Sequence, residues 1–230
     1  ENEFYGTIRP KRVIQPGERP LHALRERGVE YVEVRLMDLD PFVPVGIMAD
    51  TMRLLDVFLL HCLLSDSPPD TPAEITELKH NQHLTAARGR EPGLRLLRNG
   101  QNVPLVDWAA QVLDECVPLA AALDATHASG DYSAALANAR ALLAQPGQTP
   151  SARVLAQMAQ AHDNSFTAFT LSQSSQAREA LLELPWSAEQ QARHAALAAQ
   201  SLVSQKAIED SDTQPFEEWR QQYMAAQGLG

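Results

Sequence analysis

Tyr31-Val32-Glu33-Val34-Arg35-Leu36-Met37-Asp38-Leu39-Asp40-Pro41-Phe42 places charge inside what is otherwise a strand pattern. Val32, Val34, Leu36 and Leu39 supply aliphatic bulk, and Glu33, Arg35, Asp38 and Asp40 interleave with them at nearly strict period two. That alternation gives an apolar face and a charged face, so Glu33 and Arg35, two residues apart, share a side. A charged strand face ordinarily meets solvent. A carboxylate beside a guanidinium also suits a sheet surface that receives a metal-bound phosphate. Spacing alone leaves both readings open.

Working outward, Phe4 to Ile14 also reads as extended. The segment Gln15 to Pro20 and a short helix from Leu21 to Arg27, stopped by Gly28, join it to the quoted stretch. Pro41 and Pro44 close the second strand, and from there to the end no further strand is expected. Asp50 is expected to cap a helix running to Leu64 whose apolar residues cover nearly its whole circumference, as in a central, buried helix. Thr71-Pro72-Ala73-Glu74 has the capping-box form, and Gly89 ends the polar helix it starts. A loop through Pro92-Gly93 and Asn99-Gly100 leads to a helix from Leu105 to Ala128 that Pro118 is expected to kink.

After Asp131 the chain is Ala-rich helix broken at Pro146-Gly147, Thr149-Pro150, Asp163-Asn164, Pro185 and Glu209 to Asp212, with a second capping box at Ser187 to Gln190. A last helix, opened by Thr213, Pro215 and Glu217, carries Phe216, Trp219 and Tyr223 at i, i+3, i+7, expected to anchor the C-terminus to the body. The fold class is therefore α+β. Antiparallel strands of an incomplete sheet occupy residues 1–48, and an all-helical region packed behind them occupies residues 49–230.

The chain has 230 residues, is 44% hydrophobic, and carries 19 Lys plus Arg against 29 Asp plus Glu for a formal charge of -10. Such a balance argues against a general binder of phosphate backbones, so no nucleic-acid partner is expected. A local basic cluster such as Arg9, Lys11 and Arg12 can still receive a small phosphate ligand. Cys62 and Cys116 both fall in apolar helical segments, which favours packed thiols in a reducing compartment. No stretch approaches the roughly 20 apolar residues of a membrane span and no signal peptide opens the chain, so no membrane partner and a cytoplasmic location are expected. The chain starts at Glu1 and enters strand pattern within a few residues, as the back part of a longer polypeptide would.

Among chemistry-bearing clusters, Glu77, His80 and His83 recur on one helix, a pattern that could hold a metal but is common on solvated helices. His61 and Cys62 are adjacent, so their side chains diverge by about 100° and do not form a nucleophile pair. No phosphate-binding glycine loop, nucleophile elbow or paired-cysteine zinc signature is present. What remains lies in the first 45 residues: Asn2, Glu3, Tyr5, Arg9, Lys11, Glu33, Arg35 and Asp38.

The phrase Glu1-Asn2-Glu3-Phe4-Tyr5-Gly6-Thr7-Ile8-Arg9-Pro10-Lys11-Arg12, then Tyr31 to Arg35, then Asp38-Leu39-Asp40-Pro41-Phe42, resembles the C-terminal half of proteobacterial glutamate–cysteine ligase, the γ-glutamylcysteine synthetase family. The likeness continues, in order, through Gly89-Arg90-Glu91-Pro92-Gly93-Leu94, Ser151-Ala152-Arg153-Val154-Leu155 and Asp212 to Trp219. The chain departs from the family's usual phrase at Thr7, Leu36-Met37 and Asp40, none of which is a proposed ligand.

This resemblance implies strands of a glutamine-synthetase-like sheet and an ATP-dependent carboxylate–amine ligase acting on L-glutamate and L-cysteine in the first step of glutathione biosynthesis. It implies ATP and Mg2+ as cofactors, with Glu33 as a magnesium-binding carboxylate and Arg35 as the catalytic residue that meets the nucleotide phosphate. Tyr5 and Asn2 are implied in substrate binding, and Arg9 and Lys11 in nucleotide binding. The upstream N-terminal half is the expected partner, the fragment alone is expected to be inactive, and the complete protein is expected to be a monomer. A non-catalytic helical interaction module with a merely wetted charged strand is the alternative.

Overall fold

The computed structural model describes residues 6–15 and 17–225. Its elements in chain order begin with β1 (Ile8–Lys11), α1 (Pro20–Arg27), β2 (Tyr31–Val34), α2 (Ala49–Leu64) and α3 (Pro72–Arg88). They continue with β3 (Arg95–Arg98), β4 (Gln101–Pro104), α4 (Leu105–His127), α5 (Asp131–Ala144), α6 (Pro150–Ala161), α7 (Phe166–Leu182), α8 (Ala188–Ser211) and α9 (Phe216–Ala225). Two compact units emerge: Glu1–Asp38 with Leu184–Gly230, and Leu39–Glu183.

In the first unit β1 and β2 pair antiparallel, with Ile8 opposite Val34, Arg9 opposite Glu33, Pro10 opposite Val32 and Lys11 opposite Tyr31. The intervening α1 starts on Pro20, whose missing N–H costs nothing there. It stops at Gly28, which takes φ 72° while its N–H reaches the Leu24 carbonyl. Side chains tie this helix to the ribbon: Arg12 donates to the Arg27 carbonyl at 3.0 Å, Arg27 pairs with Glu18, and the Glu30 carboxylate accepts the Val13 N–H at 3.1 Å.

Helix α8 opens with the expected capping box, Ser187 and Gln190 satisfying each other's backbone N–H groups. On α9 the aromatics line one face and stack on one another: Phe216 on Trp219 with centroids 5.9 Å apart, and Trp219 on Tyr223 at 5.0 Å. Tyr223 also receives the Arg19 guanidinium 4.4 Å above its ring. Phe216 and Trp219 remain exposed, so the anchoring expected of all three rings is carried by Tyr223.

The core of the second unit lies where α2, α4 and α5 meet. Val57, Cys116, Ala120 and Leu136 are buried there, and Leu54, Val112, Leu113, Leu119, Leu123 and Tyr132 pack around them. Two expectations for α2 are corrected. Its N-cap is Met48, which makes no side-chain cap, while Asp50 sits in the first turn and binds Arg53 and Asn138 instead. The helix is also not buried all round, because α4 and α5 cover one side and Leu63 and Leu64 stay 76% and 69% exposed. Helix α3 does start as read, the Thr71 hydroxyl accepting the Glu74 N–H at 3.2 Å.

The all-helical expectation for residues 49–230 fails at the Pro92 to Pro104 loop, which contains the antiparallel hairpin β3–β4. Asn99 and Gly100 take φ 52° and 74°, the two positive values that a two-residue turn of this hand requires and that this dipeptide tolerates best. Helix α3 holds the hairpin. The buried Asn81 side chain accepts the Leu97 N–H at 2.8 Å and donates to the Leu97 carbonyl at 2.6 Å, while Glu77 accepts the Gly100 N–H at 2.9 Å.

A second buried polar residue joins α4 to α5. Asp124 accepts the N–H groups of Tyr132 and Ser133 at 2.9 and 3.0 Å and faces the Ser129 hydroxyl at 3.4 Å. Hydrogen bonding from the Ser133 side chain and these donors holds the Asp124 carboxyl below its ordinary value, against the opposing pull of burial. A depressed carboxylate contributes stability above its unfolded pKa, and that contribution disappears as pH falls through the folded value. Urea midpoints of the wild-type chain are therefore expected to fall as pH drops below about 4. Asp124→Asn is expected to be less stable at neutral pH and to lose less over that same window. Parallel pH curves for the two proteins would rule the contribution out.

Candidate functional site

Antiparallel pairing sets Arg9 and Lys11 of β1 on the same side of the ribbon as Glu33, and Arg35 follows on that side two residues later. The apolar partners Ile8, Pro10, Val32 and Val34 take the other side, so the division into an oily and a charged face holds. Glu33 is the hub. Its Oε1 accepts from Arg35 Nε at 2.7 Å and Nη2 at 2.6 Å, and its Oε2 lies 3.7 Å from Lys11 Nζ. Arg9 stands directly across the ladder and turns its Nε to the Gly6 carbonyl at 3.3 Å.

The charges have a consequence for Glu33. The hydrogen bond from Arg35 leads in holding its carboxyl below the usual range, desolvation opposes, and the charges of Arg35, Lys11 and Arg9 add to the lowering. Glu33 is thus an anion at neutral pH. Its Oε2 is shielded from solvent yet accepts no hydrogen bond among the described residues. A sequestered carboxylate oxygen of this kind is chemically suited to a hard cation. The Arg35 side chain stays 52% exposed, leaving part of its planar fork open to phosphate.

Four of the eight residues singled out from the sequence therefore assemble on one surface: Arg9, Lys11, Glu33 and Arg35. Asn2, Glu3 and Tyr5 lie outside the described residues. Asp38 lies beyond β2 and is exposed. The period-two pattern placed Glu33 beside Arg35, but nothing local in it announced that Lys11 would face Glu33. That meeting depends on the cross-strand register, which long-range pairing sets.

Elsewhere, Glu77 is occupied by the hairpin turn, and the described residues contain no group of three or more potential metal ligands. Both cysteines are free thiols. Cys116 is buried as expected, whereas Cys62 is exposed because it lies off the side of α2 that faces the core. No helix among the described residues is long and apolar enough to cross a membrane.

Comparisons with known proteins follow the same surface. A sequence model of the family described as glutamate-cysteine ligase matches residues 1–85, the part that contains the charged ribbon. The chain is 45% identical over its whole length to a glutamate–cysteine ligase from Azotobacter vinelandii and 44% identical over 98% of its length to one from Pseudomonas fluorescens. It spans 43% and 42% of those two relatives. Its backbone matches the crystal structure of a Francisella tularensis glutamate–cysteine ligase in complex with AMP at TM-score 0.85 and 31% identity, over 97% of this chain and 44% of that one. With identity sustained from end to end and the backbone matched alike, the chain belongs to the glutamate–cysteine ligase family and corresponds to the C-terminal half of its members.

Proposed function

We propose that this chain is the C-terminal portion of an ATP-dependent glutamate–cysteine ligase that forms γ-glutamylcysteine, the first step of glutathione biosynthesis, in the cytoplasm. The observation that carries the reading is the convergence of Arg35 and Lys11 on Glu33 across the ribbon of a family member.

The chemistry asks for such a surface. A carboxylate oxygen is a poor leaving group, so the γ-carboxylate of glutamate first takes the γ-phosphoryl of ATP. The amine of cysteine then attacks the acyl carbon, the amide bond forms and phosphate departs. Arg35 supplies fixed N–H donors and positive charge to the phosphoryl group in transit, which is the main help a protein can offer that step. Arg9 and Lys11 extend the positive surface along β1 toward the rest of the nucleotide phosphates. Glu33, through Oε2, would hold magnesium, which when bound offsets charge on the phosphates. The two bonds from Arg35 keep the Glu33 carboxylate oriented for that purpose. Tyr5 and Asn2 belong to the same reading as contacts to the amino-acid substrates.

One ribbon does not make a whole site, and this chain spans less than half the length of the relatives it matches. The complete polypeptide is expected to act as a monomer and to convert ATP, L-glutamate and L-cysteine to γ-glutamylcysteine. This chain alone is expected to yield none under the same assay. Product from the isolated chain, or none from the complete polypeptide, would overturn the proposal. The alternative, a non-catalytic helical interaction module, finds no support in the family match.

A further inference from the structure

Arg19 breaks a local rule. It is the N-cap of α1, a position that favours a side chain able to accept hydrogen bonds, and a guanidinium has only donors. Its side chain makes no cap there. Its cation also meets the positive end of the helix dipole, with no acidic residue in the first turn to offset it. The helix it opens is weak in other respects. It has eight residues, fewer than the roughly 12 that an isolated helix needs to be even marginally stable, and Ala23 is its one buried residue. A short helix that begins on an ill-suited side chain is held by contacts outside itself.

Those contacts lie at its two ends. At the start, the Arg19 guanidinium turns from α1 to α9, where it lies 4.4 Å above the Tyr223 ring with Nη2 3.4 Å from the Met224 sulfur. Trp219 backs that ring from 5.0 Å at an interplanar angle of 13°. The Arg19 Nε is shielded from solvent and makes no hydrogen bond among the described residues, and a cation so withdrawn from water is drawn to a ring face more strongly than an exposed one. At the far end, Arg12 donates to the Arg27 carbonyl, while Arg27 donates to the Val13 carbonyl at 3.2 Å and pairs with Glu18. Just beyond α1 the Glu30 N–H donates to the Lys11 carbonyl at 2.9 Å, beside the last register pair, Lys11 opposite Tyr31. The end of a two-stranded ribbon opens readily unless it is tied. Here the tie runs through α1, a rod of about 12 Å between Arg19 and the residues that close the ribbon.

We infer that Arg19 is a positioning residue: stacked on Tyr223 of the last helix, it fixes α1, and through α1 the Lys11–Tyr31 end of the charged ribbon. The inference rests on the ligase reading for its consequence, which is where the nucleotide phosphates are received along β1. The other end of the ribbon has its own ties. The Arg35 N–H donates to the Thr7 carbonyl at 2.8 Å, and its side chain is bonded to Glu33. Loosening the Arg19 contact therefore weakens the hold on ATP and spares the group that meets the phosphoryl in transit.

Two variants of the complete polypeptide test this. Arg19→Ser gives α1 a better cap and removes the cation, while Tyr223→Leu keeps apolar bulk and removes the ring face. Each is expected to raise the KM for ATP about fivefold with kcat within about twofold of wild type. Each is also expected to speed hydrogen exchange of the Glu30 amide about tenfold, while the buried Ala120 amide of the other unit keeps its rate. The double variant is expected to be no worse than either single one, because both remove the same contact. Arg19→Lys, which still offers a cation to the ring, is expected to recover most of the loss. Wild-type KM in Arg19→Ser would overturn the inference, as would additive effects in the double variant or a faster Glu30 amide with no change in KM. Should Tyr223→Leu fail to fold, Arg19→Ser and Arg19→Lys decide by themselves. A complete polypeptide without turnover would sink the ligase reading, and the Glu30 amide would still show whether Arg19 holds the ribbon.

Discussion

Replacing Glu33 by Ala in the complete polypeptide is expected to cut magnesium-dependent turnover at least tenfold while the protein stays folded. The carboxylate sits where Arg35 and Lys11 converge, and its Oε2 is shielded from water and accepts no hydrogen bond among the described residues. Removing it deletes the oxygen proposed for the cation and frees Arg35 from its orienting partner. Glu33 is half-buried and its ion pairs lie at the surface, where such pairs contribute little to stability. Circular dichroism and thermal midpoint should therefore hardly move. Glu33→Gln keeps the shape and loses the charge, so it should fail nearly as badly, and raising magnesium should restore part of its rate. Because the hydrogen bond from Arg35 and the neighbouring cations hold Glu33 ionised below the usual carboxylate range, its protonation should limit activity only at a pH below that range. Wild-type turnover in Glu33→Ala would remove this residue from the site.

Phe169→Ala is expected to destabilise the Leu39–Glu183 unit by about 3–5 kcal/mol, the usual loss for emptying a fully buried aromatic position. Phe169 is 0% exposed and ringed by other aromatics: Phe42 at 6.0 Å, His162 edge-on at 5.7 Å and Phe166 at 6.5 Å between centroids. Arg153 sits 3.9 Å over the outer Phe42 ring, closing the stack. Three separate stretches of sequence meet there, the segment after β2 and the facing ends of α6 and α7, so a cavity would be shared by all of them. Urea titration should show a lower midpoint with an unchanged slope, and Phe169→Leu should lose less. A midpoint within experimental error of wild type would mean that this aromatic stack does not hold the unit together.

Much of this architecture was legible because it is local. Alternation at Val32, Glu33, Val34 and Arg35 fixed both faces of β2, and Thr71 and Ser187 marked their helix starts through hydroxyls that reach only three residues ahead. The Asn99-Gly100 signal was present too, but Pro92-Gly93, the short Arg-ended flank Arg95–Arg98 and the short polar flank Gln101–Pro104 disguised the strands on either side. Those strands persist because Asn81, sixteen residues upstream, holds one of them, and no local pattern reports that. The same limit applies to the site. Glu33 beside Arg35 follows from spacing, whereas Lys11 opposite them follows from register across the α1 excursion. Helix α2 misled for a related reason, since an apolar circumference shows what a helix is able to bury but not how much of it these residues cover.

The Asn81 amide is a fastening that tells its two ends apart. One side chain both receives from and gives to the Leu97 main chain, so its oxygen and nitrogen are not interchangeable. Asn81→Asp would turn the giving end into a second acceptor, set against a carbonyl 2.6 Å away. The helix and the hairpin would then repel at the point that now fastens them. One atom's exchange, nitrogen for oxygen, would thus unfasten two elements that sixteen residues of chain separate.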